Sequence, residues 1–495
     1  MIKLINYILF ITTLMLLSQN VSADCKFMTP LYKKHYVGTF SGEKVDFGSE
    51  ALDFTDTNND GHKDILVSTT GRLGVDPISD TDPRISIIHL SSDFSGELAD
   101  TSRLEPTGWI NDFIFTDQDS DGFPEIIGND HGRELKYNIS DWNIMKVFEW
   151  EPKLNGYAER TKQLIGNNLN FYHGTYGVGD VNNDGLDDIF VGSLSANPHT
   201  LFTGDVKSFF INSTEKLISS KSIYQNFKDE RPKFTSAGVA GVFDYGGDDD
   251  YDLVSLPYNI KNEGTNQALI FEFEDGKLIN IIEFNPRMGS DMVPKDFFDI
   301  NESSYGFSTI RFGDINKDGL QDIVAYAENS DQARGEYKGA VVSILQSKSG
   351  MKPAKAIPNM NLYFNLPSSD KDILSQRGGI PTDSEISLID LDADGDLDLL
   401  LPPYFDGKSD DLKWSLFFND GSGKFFNNIS FAENLLREIT WTAGARVAVN
   451  DFNSDSLADY VVIESFNWTE TVTKQNEFGT LYEVTIYVSN TTACE

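Results

Sequence analysis

The chain has 495 residues and a formal net charge of -37, with 77 acidic against 40 basic side chains. That balance excludes a nucleic-acid binder working through a broad basic surface. With 39% hydrophobic and 12% aromatic residues, it is also too apolar for a disordered polyelectrolyte and must bury a sizeable core.

In chain order, Lys3 precedes an apolar run from Leu4 to Leu17, and Val21, Ser22 and Ala23 supply small residues before Asp24. Residues 1–23 read as a secretory signal peptide and residues 24–495 as one mature domain. The apolar run falls short of the ~20 residues of a membrane span. The mature chain is therefore expected to be secreted, periplasmic or at the cell surface, without a transmembrane anchor. Its two cysteines, Cys25 and Cys494, stand at opposite ends. One disulfide in an oxidising compartment accounts for them, and two unpaired thiols in the tails are the alternative.

From residue 56 onward one acidic pattern recurs seven times, at intervals of 61 to 76 residues. It reads D-x-[DN]-x-D-G-x-x-D followed by a short apolar run, and the copies begin at Asp56, Asp117, Asp180, Asp244, Asp314, Asp390 and Asp451. Oxygen side chains at positions one, three and five of a tight loop converge on one point. The carbonyl at position seven and the carboxylate at position nine complete a shell of hard oxygens suited to Ca2+, and glycine at position six permits the reversal. The expected ligands are Asp56, Asn58, Asp60, His62 through its carbonyl, and Asp64 in the first copy, then Asp117, Asp119, Asp121, Phe123 and Glu125 in the second. The third offers Asp180, Asn182, Asp184, Leu186 and Asp188, and the fifth Asp314, Asn316, Asp318, Leu320 and Asp322. The sixth offers Asp390, Asp392, Asp394, Asp396 and Asp398, and the seventh Asp451, Asn453, Asp455, Leu457 and Asp459. The fourth copy, DYGGDDDYD, has Gly246 at position three and Asp249 in place of the glycine. It loses a ligand and strains the turn, so about six Ca2+ sites are expected and the one at Asp244 is set aside.

An EF-hand begins the same way but needs Glu at position twelve and flanking helices. Here position twelve is Val191 in the third copy and Ala325 in the fifth, and the runs beside the loops, such as STIRFGD and IFVG, read as strands. Each loop is followed by further alternating stretches with hairpin chemistry, at Asn155-Gly156, Asp275-Gly276 and Asn419-Asp420-Gly421. Four strands per repeat, seven times over, is the arithmetic of an all-β, seven-bladed β-propeller with a calcium loop in most blades. The last repeat ends one strand short after YEVTIYV (482–488), and LYKKHYVGTF (31–40) is expected to complete it, closing the ring by pairing the two chain ends.

The stretches RFGDINKDGLQDIV (311–324), GVGDVNNDGLDDIF (177–190), LIDLDADGDLDLL (388–400) and FFNDGSGKF (417–425) resemble the FG-GAP/VCBS repeat family, which includes the propellers of integrin alpha subunits. The resemblance covers essentially the whole mature chain. It implies that the calcium is structural and that a partner binds the face opposite the loops. The expected function is an extracellular binding or adhesion module for a protein or glycan, working as a monomer. The alternative is a secreted polysaccharide lyase on the same scaffold, with His131, Arg133, Tyr172 and His173 as acid/base candidates; the other reading of these four is ordinary polar residues at strand ends. No Cys/His cluster, G-x-S-x-G, H-E-x-x-H or phosphate-binding glycine loop is present.

Overall fold

A computed structural model describes residues 28–41, 49–69, 85–92, 96–98, 110–117, 121–130, 144–151, 153, 156–160, 175–192, 200–203, 213–216, 237–257, 268–284, 306–331, 336–352, 355–357, 362–365, 386–391, 394–405, 412–426, 446–452, 458–468 and 477–489. Among these the chain is all-β, and no helix is long and apolar enough to cross a membrane. The segment 1–23, Cys25 and Cys494 lie outside the described residues.

The strands form seven antiparallel sheets in chain order. After β1 (Met28–Ser41), the first sheet holds β2 (Ser49–Thr55), β3 (Asp64–Thr69), β4 (Ile85–Leu90) and β5 (Gly96–Leu98), and the second β6 (Ile110–Thr116), β7 (Glu125–Asp130), β8 (Ile144–Glu151) and β9 (Gly156–Glu159). The third holds β10 (Thr175–Gly179), β11 (Asp188–Gly192), β12 (Thr200–Thr203) and β13 (Ser213–Lys216), and the fourth β14 (Ala237–Phe243), β15 (Asp252–Pro257), β16 (Ala268–Glu274) and β17 (Lys277–Phe284). The fifth holds β18 (Gly306–Gly313), β19 (Asp322–Asp331), β20 (Glu336–Ile344), β21 (Lys355–Ala356) and β22 (Leu362–Asn365). The extra strand arises because β20 is long enough for two short partners, with β21 on Val342 and Ser343 and β22 on Glu336 to Gly339. The sixth holds β23 (Ser387–Ile389), β24 (Asp398–Phe405), β25 (Leu412–Asn419) and β26 (Phe425–Phe426). The seventh joins β27 (Arg446–Asn450), β28 (Asp459–Trp468) and β29 (Glu477–Ser489) to β1, which runs antiparallel to β29 from Met28 opposite Ser489 to Ser41 opposite Glu477.

Burial follows position within a sheet. The second strands β11 and β15 are buried at every residue, whereas the fourth strand β17 has no buried residue and is divided between exposed and half-buried ones. A strand flanked by other sheets on both faces needs an apolar run, and after their leading Asp DIFVG supplies it in full and DLVSLP does so but for the buried Ser255. The core is a series of inter-sheet clusters rather than one central mass. Leu66 and Ile87 of the first sheet pack with Ile126, Phe148 and Trp150 of the second. Phe190 and Leu201 of the third pack with Leu253 and Phe271 of the fourth. Val254 and Ile270 of the fourth pack with Ile323 and Val342 of the fifth, and Val324 and Val341 of the fifth with Leu399 and Phe417 of the sixth. The first strands also neighbour one another in sequence: β2 lies by β6, β6 by β10, β10 by β14, β14 by β18, β18 by β23, β23 by β27, and β27 by β2.

Hairpin turns mediate contacts between sheets. The Asp275-Gly276 turn joining β16 to β17 sits on the third loop, where a Cβ built on Gly276, at φ +70°, would lie 2.3 Å from the Asn182 carbonyl oxygen. The contact is with backbone, which cannot rotate away. Gly276→Ala is therefore expected to cost about 2 kcal/mol from overpacking and left-handed strain combined, read as a drop in the urea midpoint without a change in slope.

Candidate metal centres

All seven acidic loops connect the first strand of a sheet to the second, and position nine is the first residue of that second strand. The backbone explains the pattern. Position six is left-handed wherever it is described, with φ of +89° at Gly61, +88° at Gly122 and Gly185, +83° at Gly319 and +85° at Gly395. A Cβ on Gly61, Gly185 or Gly319 would meet nothing, so glycine is present there for its φ and not for room. Asp249 holds the same conformation at φ +67°, which is the strain expected from the fourth copy.

Within the loops, side chains point inward and bind backbone N–H groups. The position-five N–H donates to the position-one carboxylate, as Asp184 does to Asp180 (2.9 Å) and Asp318 to Asp314 (3.0 Å). Position six donates to the other oxygen, as Gly185 does to Asp180 (2.8 Å) and Gly319 to Asp314 (2.8 Å). Position seven donates to position five, as His62 does to Asp60 and Leu186 to Asp184. The same bonds fix Asp56, Asp117, Asp121, Asp390 and Asp394. In these five loops each position-one carboxylate oxygen accepts a single N–H and keeps a second lone pair for a cation. The donors are hard oxygens, which suits Ca2+.

The fourth loop, set aside from sequence, fits a cation by geometry. Asp244, Asp248 and Asp252 each offer an oxygen within 4.8 Å of the others, the greatest separation that two ligands at about 2.4 Å from one ion can have. Gly246, at position three, brings no ligand, and its N–H is instead taken by Gln346 Oε1 of the fifth sheet (2.9 Å).

Position nine has a structural role that the sequence did not disclose. Asp64, Asp188, Asp322 and Asp459 are fully buried, and Glu125, Asp252 and Asp398 nearly so. One oxygen takes the position-two N–H, from Tyr245 to Asp252 (2.8 Å), Ile315 to Asp322 (3.2 Å), Leu391 to Asp398 (2.9 Å) and Phe452 to Asp459 (2.9 Å). The other takes an N–H at the end of the third strand, from Leu90 to Asp64 (2.9 Å), Phe273 to Asp252 (2.6 Å), Gln346 to Asp322 (2.7 Å) and Asn419 to Asp398 (2.8 Å). The residue thus staples its loop to its own sheet. Burial pushes the Asp252 carboxyl up to about 7 and that of Asp322 to about 6, against the pull of these N–H donors.

Neighbouring loops also touch. Lys63 Nζ donates to Asn450 Oδ1 (2.6 Å), Asn183 Nδ2 to Asp250 Oδ1 (2.6 Å) and the Asp244 N–H to Gln321 Oε1 (3.1 Å), while Lys317 pairs with Asp396. Tyr157 Oη reaches the carbonyls of both Thr57 (3.3 Å) and Pro124 (3.0 Å), spanning the first and second loops. Asp119, Asp392, Asn453, Asp455 and Leu457 lie outside the described residues, as do His131, Arg133, Tyr172 and His173.

No family model and no curated protein sequence matches the chain. Among solved structures it is similar to the rhamnogalacturonan lyase YesW, at 12% identity over 92% of this chain and 75% of that one, with a TM-score of 0.37. It is also similar to a chain of the S. cerevisiae complex of Dbp5 with Nup159, Gle1, IP6 and ADP, at 12% identity over 93% and 96% with a TM-score of 0.40. An exo-β-1,3-galactanase from Phanerochaete chrysosporium, with β-1,3-galactotriose, gives 7% identity over 92% and 99% with a TM-score of 0.33. Likenesses this distant carry no statement about activity.

Proposed function

We propose that the seven sheets are the blades of one β-propeller of FG-GAP/VCBS type, clipped by Ca2+ in the loops and closed where β1 completes the last blade, and that it serves as an extracellular binding module for a protein or glycan. The observation that carries this reading is the loop array: seven loops at one position in seven successive sheets, six of which show inward-facing oxygens among the described residues, and several bonded to the loop next to them. The return of β27 to β2 supports closure, as does the bond from Lys63 to Asn450 across the junction of the first and last sheets. Burial raises the Asp53 carboxyl of β2 to about 6, against the pull of the Phe54 N–H and of the Arg311 charge on β18. These two strands lie in sheets that are not neighbours, and a ring whose first strands face a common axis brings such charges within reach.

In this reading Ca2+ supplies charge neutralisation to the inward carboxylates. The chain's part is to hold those oxygens in place through the N–H bonds of positions five to seven and the position-nine staple, which leaves the faces of the disc rigid enough to present a binding surface. A glycan array and a lyase assay on anionic polysaccharides, each run with the wild type and His131→Ala, test the function. The expected result is binding without turnover. Turnover abolished by His131→Ala would overturn the binding-module reading in favour of a polysaccharide lyase.

A further inference from the structure

Two buried side chains each join a pair of cation loops. Gln346 follows β20, and Asn419 ends β25; they are 1% and 3% exposed. They occupy the same place, two residues beyond Ile344 and Phe417, the partners of Ile323 and Leu399 just after position nine. At one end, the Gln346 backbone N–H donates to Asp322 Oδ1 of its own sheet's loop (2.7 Å), and that of Asn419 to Asp398 Oδ1 (2.8 Å). At the other end the side chain grips the preceding loop. Gln346 Oε1 accepts the Gly246 N–H (2.9 Å) and Nε2 donates to the Asp244 carbonyl (3.4 Å). Asn419 Nδ2 donates to the Ile315 carbonyl (2.7 Å). Each amide also donates to position eight of its own loop, Gln321 (3.1 Å) or Leu397 (3.2 Å). In the fourth sheet the same place holds Phe273, whose N–H bonds to Asp252 (2.6 Å) while its side chain has no polar group to reach the third loop.

We propose that Gln346 and Asn419 couple cation occupancy of the fourth, fifth and sixth loops, so that an ion in one raises the affinity of its neighbour; this rests on the cation reading above. The physical route is short. An ion ordering the sixth loop fixes the Asp398 carboxylate, which fixes Asn419, which in turn holds the carbonyl at position two of the fifth loop. The fifth loop then binds with less ordering left to lose. The effect is reciprocal, since coupling free energy belongs to the pair of sites. The junction of the third and fourth loops, with Phe273 in the connector place, lacks this buried amide; only the exposed bond from Asn183 to Asp250 spans it, and it serves as a comparison.

Hydrogen–deuterium exchange read by mass spectrometry across a Ca2+ titration of the full mature chain gives a separate midpoint for each loop. Asp390→Asn, which weakens the sixth loop, is expected to move the midpoint of residues 314–322 upward by about fivefold or more. In an Asn419→Ala background that shift should vanish, and in the wild-type background the midpoint of residues 180–188 should move less than that of residues 314–322. Gln346→Leu together with Asp314→Asn tests the fourth and fifth loops in the same way, which keeps the inference falsifiable if Asn419→Ala fails to fold. A fifth-loop midpoint indifferent to Asp390→Asn, or a shift that survives Asn419→Ala, overturns the coupling alone. No Ca2+-dependent protection in any loop overturns both the coupling and the cation reading beneath it.

Discussion

Chelating Ca2+ at pH 8 is expected to lower the melting temperature far more than any single surface substitution would. An ion held at a free concentration 100-fold above its Kd, and bound only by the folded loop, contributes about 2.7 kcal/mol. Two or three such loops account for much of the ~5–15 kcal/mol that separates a folded chain from its unfolded state. The effect should shrink as the pH falls. In the cation-free protein burial raises the Asp252 carboxyl to about 7 and the Asp322 carboxyl to about 6, both above the ordinary carboxyl range. A group raised in the folded state favours folding most fully below its unfolded value and loses that contribution as the pH rises through its folded value. Cation-free protein therefore gains stability from these groups between pH 7 and pH 4, while protons compete with Ca2+ for the same oxygens. Calorimetry with and without chelator should show a wide gap at pH 8 and a narrow one at pH 5. An unchanged curve at pH 8 would remove the metal from the account of this fold.

The second large effect is expected at Asp322. Its carboxylate is fully buried and accepts the N–H groups of Ile315 and Gln346. Asp322→Ala leaves two donors without an acceptor at ~1–3 kcal/mol each, so a loss of about 2–6 kcal/mol is expected. If position nine were only a ligand, the loss would disappear once the ion is chelated. If it is also a staple, urea unfolding in chelator should still show most of it. Asp322→Asn, which keeps one acceptor oxygen, should lose less.

The contrast between these experiments follows what could be read from residue order. The eight-residue loop, the left-handed turn at position six and the buried strand after it are local: Gly185 sits where φ is +88°, and DIFVG is buried throughout. Local geometry depends on neighbours in the chain, so the recurrence of D-x-N-x-D-G-x-x-D was enough to locate it. The strand 31–40 was also legible, because a last repeat one strand short leaves an edge that some other segment must cover, and β1 pairs with β29. The fourth loop was set aside because it has no oxygen at position three; Asp244, Asp248 and Asp252 nonetheless converge within 4.8 Å.

The sequence by itself determined the number of repeats, the place and chemistry of each acidic loop, and the need for glycine at its turn, because each depends on residues a few places apart. The tertiary structure decided which groups the loops hold and are held by. Asn419 lies 104 residues from Ile315, Gln346 lies 102 from Asp244, and Tyr157 lies 100 from Thr57. A polar side chain at a strand end suits a solvated turn as well as a buried connector. Packing of the next sheet removes the water, and only then does the amide have a single set of partners.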